Sequence, residues 1–204
     1  RAISPQFLKH LYYTGDFKMF VKDVTNRDYD LNEREQRVII PFYDKDKQLI
    51  AFQGRAFTNT TLRYITIKID EDSPKIFGLE RLDLTKQFYV VEGPIDSMFL
   101  PNCIAMAGSD VNLKSQIGIL NALDNHTGTV VFDNEPRNTE IISRMKKMIE
   151  NGWNICIWPY QMEQKDLNDM VLSGTSEIKL VEIINTNTYS GLLAQTQLAF
   201  WRKK

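Results

Sequence analysis

The sequence predicts an α/β fold: a parallel four-stranded sheet flanked by helices, with a small mixed α+β subdomain before it and a carboxyl-terminal helix after it. In the second half of the chain, strand-like runs alternate with helical patterns, as in parallel sheets with right-handed crossovers. The run at 88–91 is apolar without interruption, which is typical of a strand buried on both faces. The strands are predicted near 88–91, 103–107, 129–133 and 154–158, and the helices near 94–100, 112–122 and 137–150.

The preceding part of the chain predicts antiparallel strands. Ser4-Pro5 is a typical helix start, so we predict a short helix through His10, an extended stretch at 11–13 and a helix at 17–24. Three strand-like runs then follow one another with short polar turns between them, which predicts antiparallel pairing. They lie near 37–43, 48–57 and 62–69.

These patterns divide the chain into three parts: a subdomain at 1–86, an α/β domain at 87–174 and a helical segment at 175–204. Formal charge differs between the first two, about +2 over 37–81 against −5 over 82–169. A modestly basic region beside an acidic one suits a phosphate-tracking surface next to a metal pocket. The alternative is that charged side chains scattered over a solvated surface produce the same difference in formal charge.

Composition is that of a globular protein. Of 204 residues, 43% are hydrophobic and 25% charged, and no apolar run approaches the roughly 20 residues that cross a bilayer. Cys103 and Cys156 lie in apolar runs without a CxxC pair, so we predict two core thiols. His10 and His126 are far apart, and no zinc site is expected. Because the chain begins with Arg1, we expect a fragment of a longer polypeptide.

Carboxylates follow three of the predicted strands. Glu92 comes directly after the first, Asp133 and Glu135 end the third, and Asp166 follows the fourth. Since parallel strands end at one edge of a sheet, these groups are expected to converge. Crowded carboxylates raise one another's pKa, and all-oxygen ligands favour Mg²⁺ or Mn²⁺ over zinc. The alternative is that Glu92 and the following Asp96 cap a helix.

The order of these acids resembles the Toprim domain shared by DnaG-type primases, topoisomerases and some nucleases. In its details the chain is similar to the primases of T-even-type bacteriophages. The resemblance covers about 36–172, with a weaker echo near 191–204. It is carried by Arg37-Val38-Ile39-Ile40-Pro41, Phe52-Gln53-Gly54-Arg55-Ala56, Tyr64-Ile65-Thr66-Ile67, Glu92-Gly93-Pro94-Ile95-Asp96-Ser97, Asp133-Asn134-Glu135-Pro136-Arg137 and Lys165-Asp166-Leu167-Asn168-Asp169-Met170.

The resemblance implies site residues of two kinds. Glu92, Asp133 and Glu135 are the candidate catalytic residues, and with Asp96 and Asp166 they form the candidate metal-binding set. Whether Glu92 acts as acid or base or as a metal neighbour stays open. The candidate nucleic-acid and nucleotide contacts are Arg37, Arg55 and Lys75, for which solvent-facing strand positions are the alternative. Gly54, which an ordinary turn explains equally well, and Gly108, in a loop after the second strand, complete the set.

The activity implied is synthesis of short RNA primers on single-stranded DNA from ribonucleoside triphosphates, using Mg²⁺ or Mn²⁺. The partners implied are the template and a replicative helicase, and the place is the cytoplasm of the infected bacterial host cell. Primases of this family carry an amino-terminal zinc-binding domain, which we expect to be missing here, so the fragment is expected to prime poorly alone. The alternatives are a Toprim nuclease, a topoisomerase, or a non-catalytic nucleic-acid-binding or helicase-docking module.

Overall fold

The computed structural model describes residues 5–8, 10–58, 60, 62–107 and 128–203. The amino-terminal half contains α1 (Pro5–Leu8), β1 (Tyr12–Thr14), α2 (Phe17–Thr25), β2 (Arg37–Tyr43), β3 (Leu49–Ala56), β4 (Tyr64–Lys68) and β5 (Ile76–Phe77). A 3₁₀ turn (Leu79–Arg81) leads to β6 (Phe88–Val91), α3 (Pro94–Ser97), β7 (Cys103–Met106), β8 (Gly128–Val131) and α4 (Thr139–Glu150). The chain continues with β9 (Asn154–Cys156), α5 (Leu167–Leu172), α6 (Glu177–Thr186), β10 (Thr188–Tyr189) and α7 (Gly191–Trp201).

The first sheet is antiparallel, in the order β1-β2-β3-β4. The turn between β2 and β3 is set by Asp44, whose Oδ1 accepts hydrogen bonds from the backbone N–H groups of Asp46 and Gln48 at 2.9 and 2.8 Å. Such an Asx-type turn is the reason that aspartate is favoured at the start of a tight connection. The three antiparallel strands predicted here are confirmed, with ends within two residues of the expected positions.

Strand β2 contributes to two separate cores. Ile39 packs with Phe17 and Val21 of α2 on one face of the sheet. Ile40 and Phe42 belong to the main core on the other face, because successive side chains of a strand point to opposite sides. The antiparallel sheet is therefore covered by α2 on one side and packed against the second sheet on the other.

The second sheet has six strands, in the order β10-β9-β8-β6-β7-β5. The four central strands, which are the four predicted ones, pair in parallel, while β5 and β10 add to the edges in antiparallel orientation. The expected four-stranded sheet is thus the centre of a mixed sheet. Edge strands of two residues are too short to show any periodicity in the sequence, so the pattern could not reveal them.

The helices differ more from expectation than the strands do. Helix α3 ends at Ser97 rather than near residue 100, and the helix predicted at 112–122 lies outside the described residues. Helix α4 buries its predicted apolar stripe, including Met145 and Met148, as core. The segment 175–204 holds two helices with β10 between them, and its Leu180, Ile184, Ala194, Leu198 and Trp201 join the main core. In the described parts of the chain, no helix has the length and apolar character of a bilayer crossing.

Gly54 permits close packing between α2 and the antiparallel sheet. A Cβ at this position would overlap the ring of Phe17 and lie 3.0 Å from Cδ of Arg37. We expect Gly54→Ala to lower the free energy of unfolding by about 2 kcal/mol through overpacking, as measured by urea unfolding. Gly15→Ala is the matched control, since its nearest neighbour would be 3.9 Å away. Unchanged stability with weakened nucleic-acid binding would instead favour Gly54 as a ligand contact.

Candidate functional site

Four of the predicted carboxylates come together at the carboxyl ends of the parallel strands. β6 and β8 are paired neighbours, with Val91 opposite Val131, so the residues that follow them emerge side by side. Glu92 Oε2 accepts a hydrogen bond from the backbone N–H of Asp133 at 3.1 Å. Asp96, in the first turn of α3, accepts one from the backbone N–H of Asn168 at 3.1 Å, and Asp166 caps α5 through Asp169 N–H at 2.7 Å.

Asp133 is the electrostatic centre of this group. Its pKa is raised from 3.8 to about 8, first by burial and then by the negative charges of Glu92, Asp96 and Asp166. Lys165 opposes the shift. A protonated carboxyl is therefore the favoured state of Asp133 at neutral pH, unless a cation enters the site and stabilises the ionised form.

Glu92 is held by an arginine that the sequence reasoning missed. Arg144 Nη1 donates to Glu92 Oε1 at 2.6 Å, so both carboxylate oxygens of Glu92 are engaged. The guanidinium group also lies 5.3 Å from the ring centroid of Phe132. Arg144 lies beside the apolar stripe of α4. A basic residue at such a helix position is the sequence signal that could have indicated its contact with Glu92. The alternative in which Glu92 caps α3 is not observed, since Gly93 is the N-cap and makes no side-chain cap bond.

Glu135 stands apart from the other acids. Its Oε1 pairs with Lys165 Nζ at 3.0 Å, and its Oε2 accepts from Asn138 Nδ2 at 3.1 Å. The pKa of Lys165 is raised, mainly by its bond to Glu135 and further by the charges of Asp133 and Asp166. Lys165 therefore lies between Glu135 and the four-carboxylate group, and it neutralises part of the negative charge.

Asn134, between the two acids of the Asp-Asn-Glu motif, fixes their loop. Its Nδ2 donates to the carbonyls of Met162 and Gln164 at 2.9 and 3.0 Å, and its Oδ1 accepts from the indole N–H of Trp201 at 3.3 Å. The side chain is only 8% exposed. Asn134 thus ties the acidic loop both to the loop before Asp166 and to α7, and no local sequence pattern predicts these contacts.

We expect Trp201→Phe to lower the free energy of unfolding by about 1–2 kcal/mol, because the buried Oδ1 of Asn134 would lose its donor. The measurement is urea unfolding followed by circular dichroism. Phe200→Leu, at a position 64% exposed on the same helix, is the control and should leave stability unchanged. Equal stability of Trp201→Phe and the unmodified protein would show that the indole bond does not matter.

The acidic group fits an oxygen-liganded divalent cation by its chemistry. Glu92, Asp96, Asp133 and Asp166 supply carboxylate oxygens, the ligands that Mg²⁺ and Mn²⁺ favour. Asn168 is 8% exposed, its backbone N–H binds Asp96, and its buried Oδ1 has no hydrogen-bond partner, so this residue offers a further acceptor oxygen. Within the described residues, no three His, Cys, Asp or Glu side chains are already placed to share one ion.

Arg37, which the sequence predicts as a phosphate contact, is buried in the structure. Its side chain is 1% exposed and pairs with Glu35 at 2.8 Å, and it donates to the carbonyls of Gly54, Leu62 and Arg63 at 2.8, 2.8 and 3.4 Å. The guanidinium group also lies 5.1 Å from the ring centroid of Phe17. Arg37 is an internal link that holds β3 and the start of β4 in place.

The other predicted contacts have different surroundings. Gly54 is buried beneath Phe17 and presents no surface to a ligand. Arg55 is half-buried, 5.3 Å from the ring centroid of Tyr64. Lys75 is also half-buried, and its carbonyl accepts from the N–H of Ala107, which places it near the carboxyl end of β7. Gly108 lies outside the described residues.

The architecture is that of DnaG-type primase catalytic cores. A solved structure of the Aquifex aeolicus primase, with zinc-binding and RNA polymerase domains, matches 92% of this chain and 54% of its own, with a TM-score of 0.68 and 19% identity. The DnaG primase catalytic domain bound to ssDNA matches 90% of this chain and 68% of its own, with a TM-score of 0.62 and 15% identity. These identities establish likeness of fold alone.

The sequence relationship is closer to a bacteriophage protein. The chain is 32% identical over its whole length to the DNA primase of Enterobacteria phage T4, and it spans 58% of that protein. No protein-family model matches the sequence. The predicted resemblance to T-even-type phage primases and DnaG-type catalytic cores is confirmed.

Proposed function

We propose that the chain is the catalytic fragment of a DNA primase, which joins ribonucleotides into short primers on single-stranded DNA. The observation that carries this is the gathering of Glu92, Asp96 and Asp166 around a half-buried Asp133, in a chain with the fold of primase cores. Nucleotidyl transfer needs stabilisation of the charge on the phosphate and orientation of the attacking hydroxyl, rather than a covalent nucleophile. A group of half-buried carboxylates at a sheet edge provides that for a divalent cation and the phosphates it binds.

The residues have distinct parts in this proposal. Asp133, with Asp96 and Asp166, would hold Mg²⁺ or Mn²⁺, which when bound neutralises phosphate charge and activates the attacking hydroxyl. Arg144 and the Asp133 N–H fix both oxygens of Glu92, so Glu92 is oriented before substrate arrives. Lys165 limits the charge at the site and holds Glu135 at its margin. Asn134 and Asn168 keep the acidic loops in register.

Several finer assignments belong to the same proposal. The four central parallel strands are a Toprim-type sheet, and the parts 1–86, 87–174 and 175–204 correspond to the amino-terminal subdomain, the Toprim domain and the carboxyl-terminal segment. The substrates are single-stranded DNA and ribonucleoside triphosphates. A zinc-binding domain and a replicative helicase act with this fragment in the cytoplasm of the infected host cell. The resemblance to phage primases supports each of these.

The test is incorporation of labelled ribonucleotides on single-stranded DNA with Mg²⁺ or Mn²⁺, with a zinc-binding domain of a related phage primase supplied in trans. We expect RNA products from the unmodified chain and none from Asp133→Asn. DNA cleavage that depends on Asp133, without RNA, would replace the proposal with a Toprim nuclease. Binding of DNA without either reaction would reduce the chain to a binding module.

A further inference from the structure

One end of the antiparallel sheet exposes an unusual group of aromatic side chains. Tyr13, Val38, Arg55 and Tyr64 are successive register partners across β1, β2, β3 and β4, so their side chains leave the same face of the sheet. Phe57, two residues beyond Arg55, continues this face, and its ring centroid lies 5.8 Å from that of Tyr13. We call Tyr13, Phe57 and Tyr64, with Arg55 between them, the aromatic platform.

The platform is open to solvent. Tyr13 and Phe57 are each 60% exposed and Tyr64 is 41% exposed. Farther along β2 the same face is closed, because Ile40 and Phe42 pack into the main core. Grouped exposed rings often mark an interaction site, so this open end of the face is a candidate binding surface.

Two arginines give the platform its charge. The guanidinium groups of Arg55 and Arg63 lie 5.3 and 5.8 Å from the ring centroid of Tyr64. The four platform residues include no carboxylate. Rings that can stack on bases, beside cations that can meet phosphates, are the combination that binds single-stranded nucleic acid.

The platform is also preorganised from beneath. Arg37 donates to the carbonyls of Gly54, Leu62 and Arg63, which are the residues flanking Arg55 and Tyr64. The buried arginine therefore fixes the backbone that carries the exposed rings. A rigid surface loses little conformational freedom on binding, which favours affinity.

We propose that the aromatic platform stacks on the bases of a single-stranded nucleic acid, distinct from the acidic site. This inference rests on the proposed function in one respect, which is the identification of the bound strand as the template. Arg55 and Arg63 would contact the phosphates on either side of a base stacked on Tyr64. The platform lies at the opposite end of β2 from Tyr43, which lines a separate cavity of about 690 Å³ with Asn102 and Cys103 at the start of β7.

The test compares two oligonucleotides of equal length and charge, one of deoxythymidine and one of abasic sites, by fluorescence anisotropy. We expect Tyr13→Ala and Tyr64→Ala each to weaken binding of the deoxythymidine oligonucleotide roughly tenfold and to leave binding of the abasic one unchanged. Tyr64→Phe should bind like the unmodified protein. Tyr12→Ala is the matched control, since Tyr12 is 53% exposed on the neighbouring position of β1 and faces the other side.

Equal binding of deoxythymidine by the alanine variants and the unmodified protein, with thermal midpoints matched, would overturn the proposal. So would an equal loss on the abasic oligonucleotide, which would make the role electrostatic. Assaying RNA synthesis on the same preparations separates the two proposals. Base-dependent binding without RNA synthesis would support the platform and remove the primase function, whereas RNA synthesis with unaffected variants would remove the platform alone.

Discussion

Asp133→Asn is expected to end RNA synthesis and, at the same time, to make the metal-free protein more stable at pH 8. Activity should fall about a hundredfold or more, the usual effect of losing one charged group that stabilises a transition state. Stability should rise because a half-buried carboxyl surrounded by the negative charges of Glu92, Asp96 and Asp166 is replaced by a neutral amide. Opposite signs for activity and stability are typical of functional groups held in an unfavourable environment.

The pH dependence follows from the raised pKa of Asp133. Between its unfolded value of 3.8 and its folded value of about 8, the folded state keeps a proton that the unfolded chain releases. Stability of the metal-free protein is therefore lost progressively as pH rises through this interval, at up to about 1.4 kcal/mol per pH unit. Below pH 3.8 the group makes no difference between the two states, and above pH 8 the loss is complete.

The measurement is the free energy of unfolding in EDTA at pH 5 and pH 8, for the unmodified protein and Asp133→Asn. The variant should be more stable by about 5 kcal/mol at pH 8, and added Mg²⁺ should stabilise only the unmodified protein. Glu163→Gln, at an exposed position of the neighbouring loop, is the control. If the stability of the variant depends on pH in the same way as that of the unmodified protein, the carboxyl group with the raised pKa is not that of Asp133.

Arg37→Ala is expected to destabilise the fold by about 3–5 kcal/mol, a large part of a typical domain stability of about 5–15 kcal/mol. The change would leave Glu35, whose side chain is 10% exposed, without its counterion. It would also remove the donors to three carbonyls of β3 and the start of β4. Breaking a buried pair costs more than an exposed one because the remaining charge stays desolvated.

The measurement is urea unfolding of Arg37→Ala beside Arg27→Ala. Arg27 pairs with Glu71 at 3.2 Å, but the two side chains are 44% and 79% exposed, so its removal should change the free energy of unfolding far less than the removal of Arg37. Unchanged stability in Arg37→Ala, together with reduced affinity for DNA, would return Arg37 to the phosphate-binding role that the sequence suggested.

The strands and the acidic loops could be predicted from sequence because their signals are local. The run Phe88–Val91 is apolar because both of its faces are buried. The acids that follow the parallel strands lie at one edge of the sheet because all of these strands run in the same direction. Arg37 could not be predicted in the same way. An arginine in a β-strand has the same sequence pattern whether its partners are phosphates or the carbonyls of Gly54 and Leu62, and only packing decides between them.

Long-range contacts account for the other differences. Arg144 meets Glu92 across 52 positions of the chain, and Trp201 meets Asn134 across 67. Neither spacing belongs to the period of a helix or a strand, so no local sequence pattern indicates these contacts. Glu135 shows the same limit, since its place beside Lys165 depends on how two loops meet. The residue types at the site were therefore predictable, and their partners were not.

The division of β2 between two cores fixes the geometry of the whole protein. Ile39 packs under α2 while Ile40, the next residue, packs against the second sheet, so a hinge motion between the two layers would have to disrupt one of these two cores. Limited proteolysis of the connection near residues 82–87 should therefore leave a nicked but associated molecule. The separation between the antiparallel sheet and the acidic edge is then expected to stay constant. Under the proposed function, a nucleic-acid strand that contacts both would have to adjust its conformation to that distance.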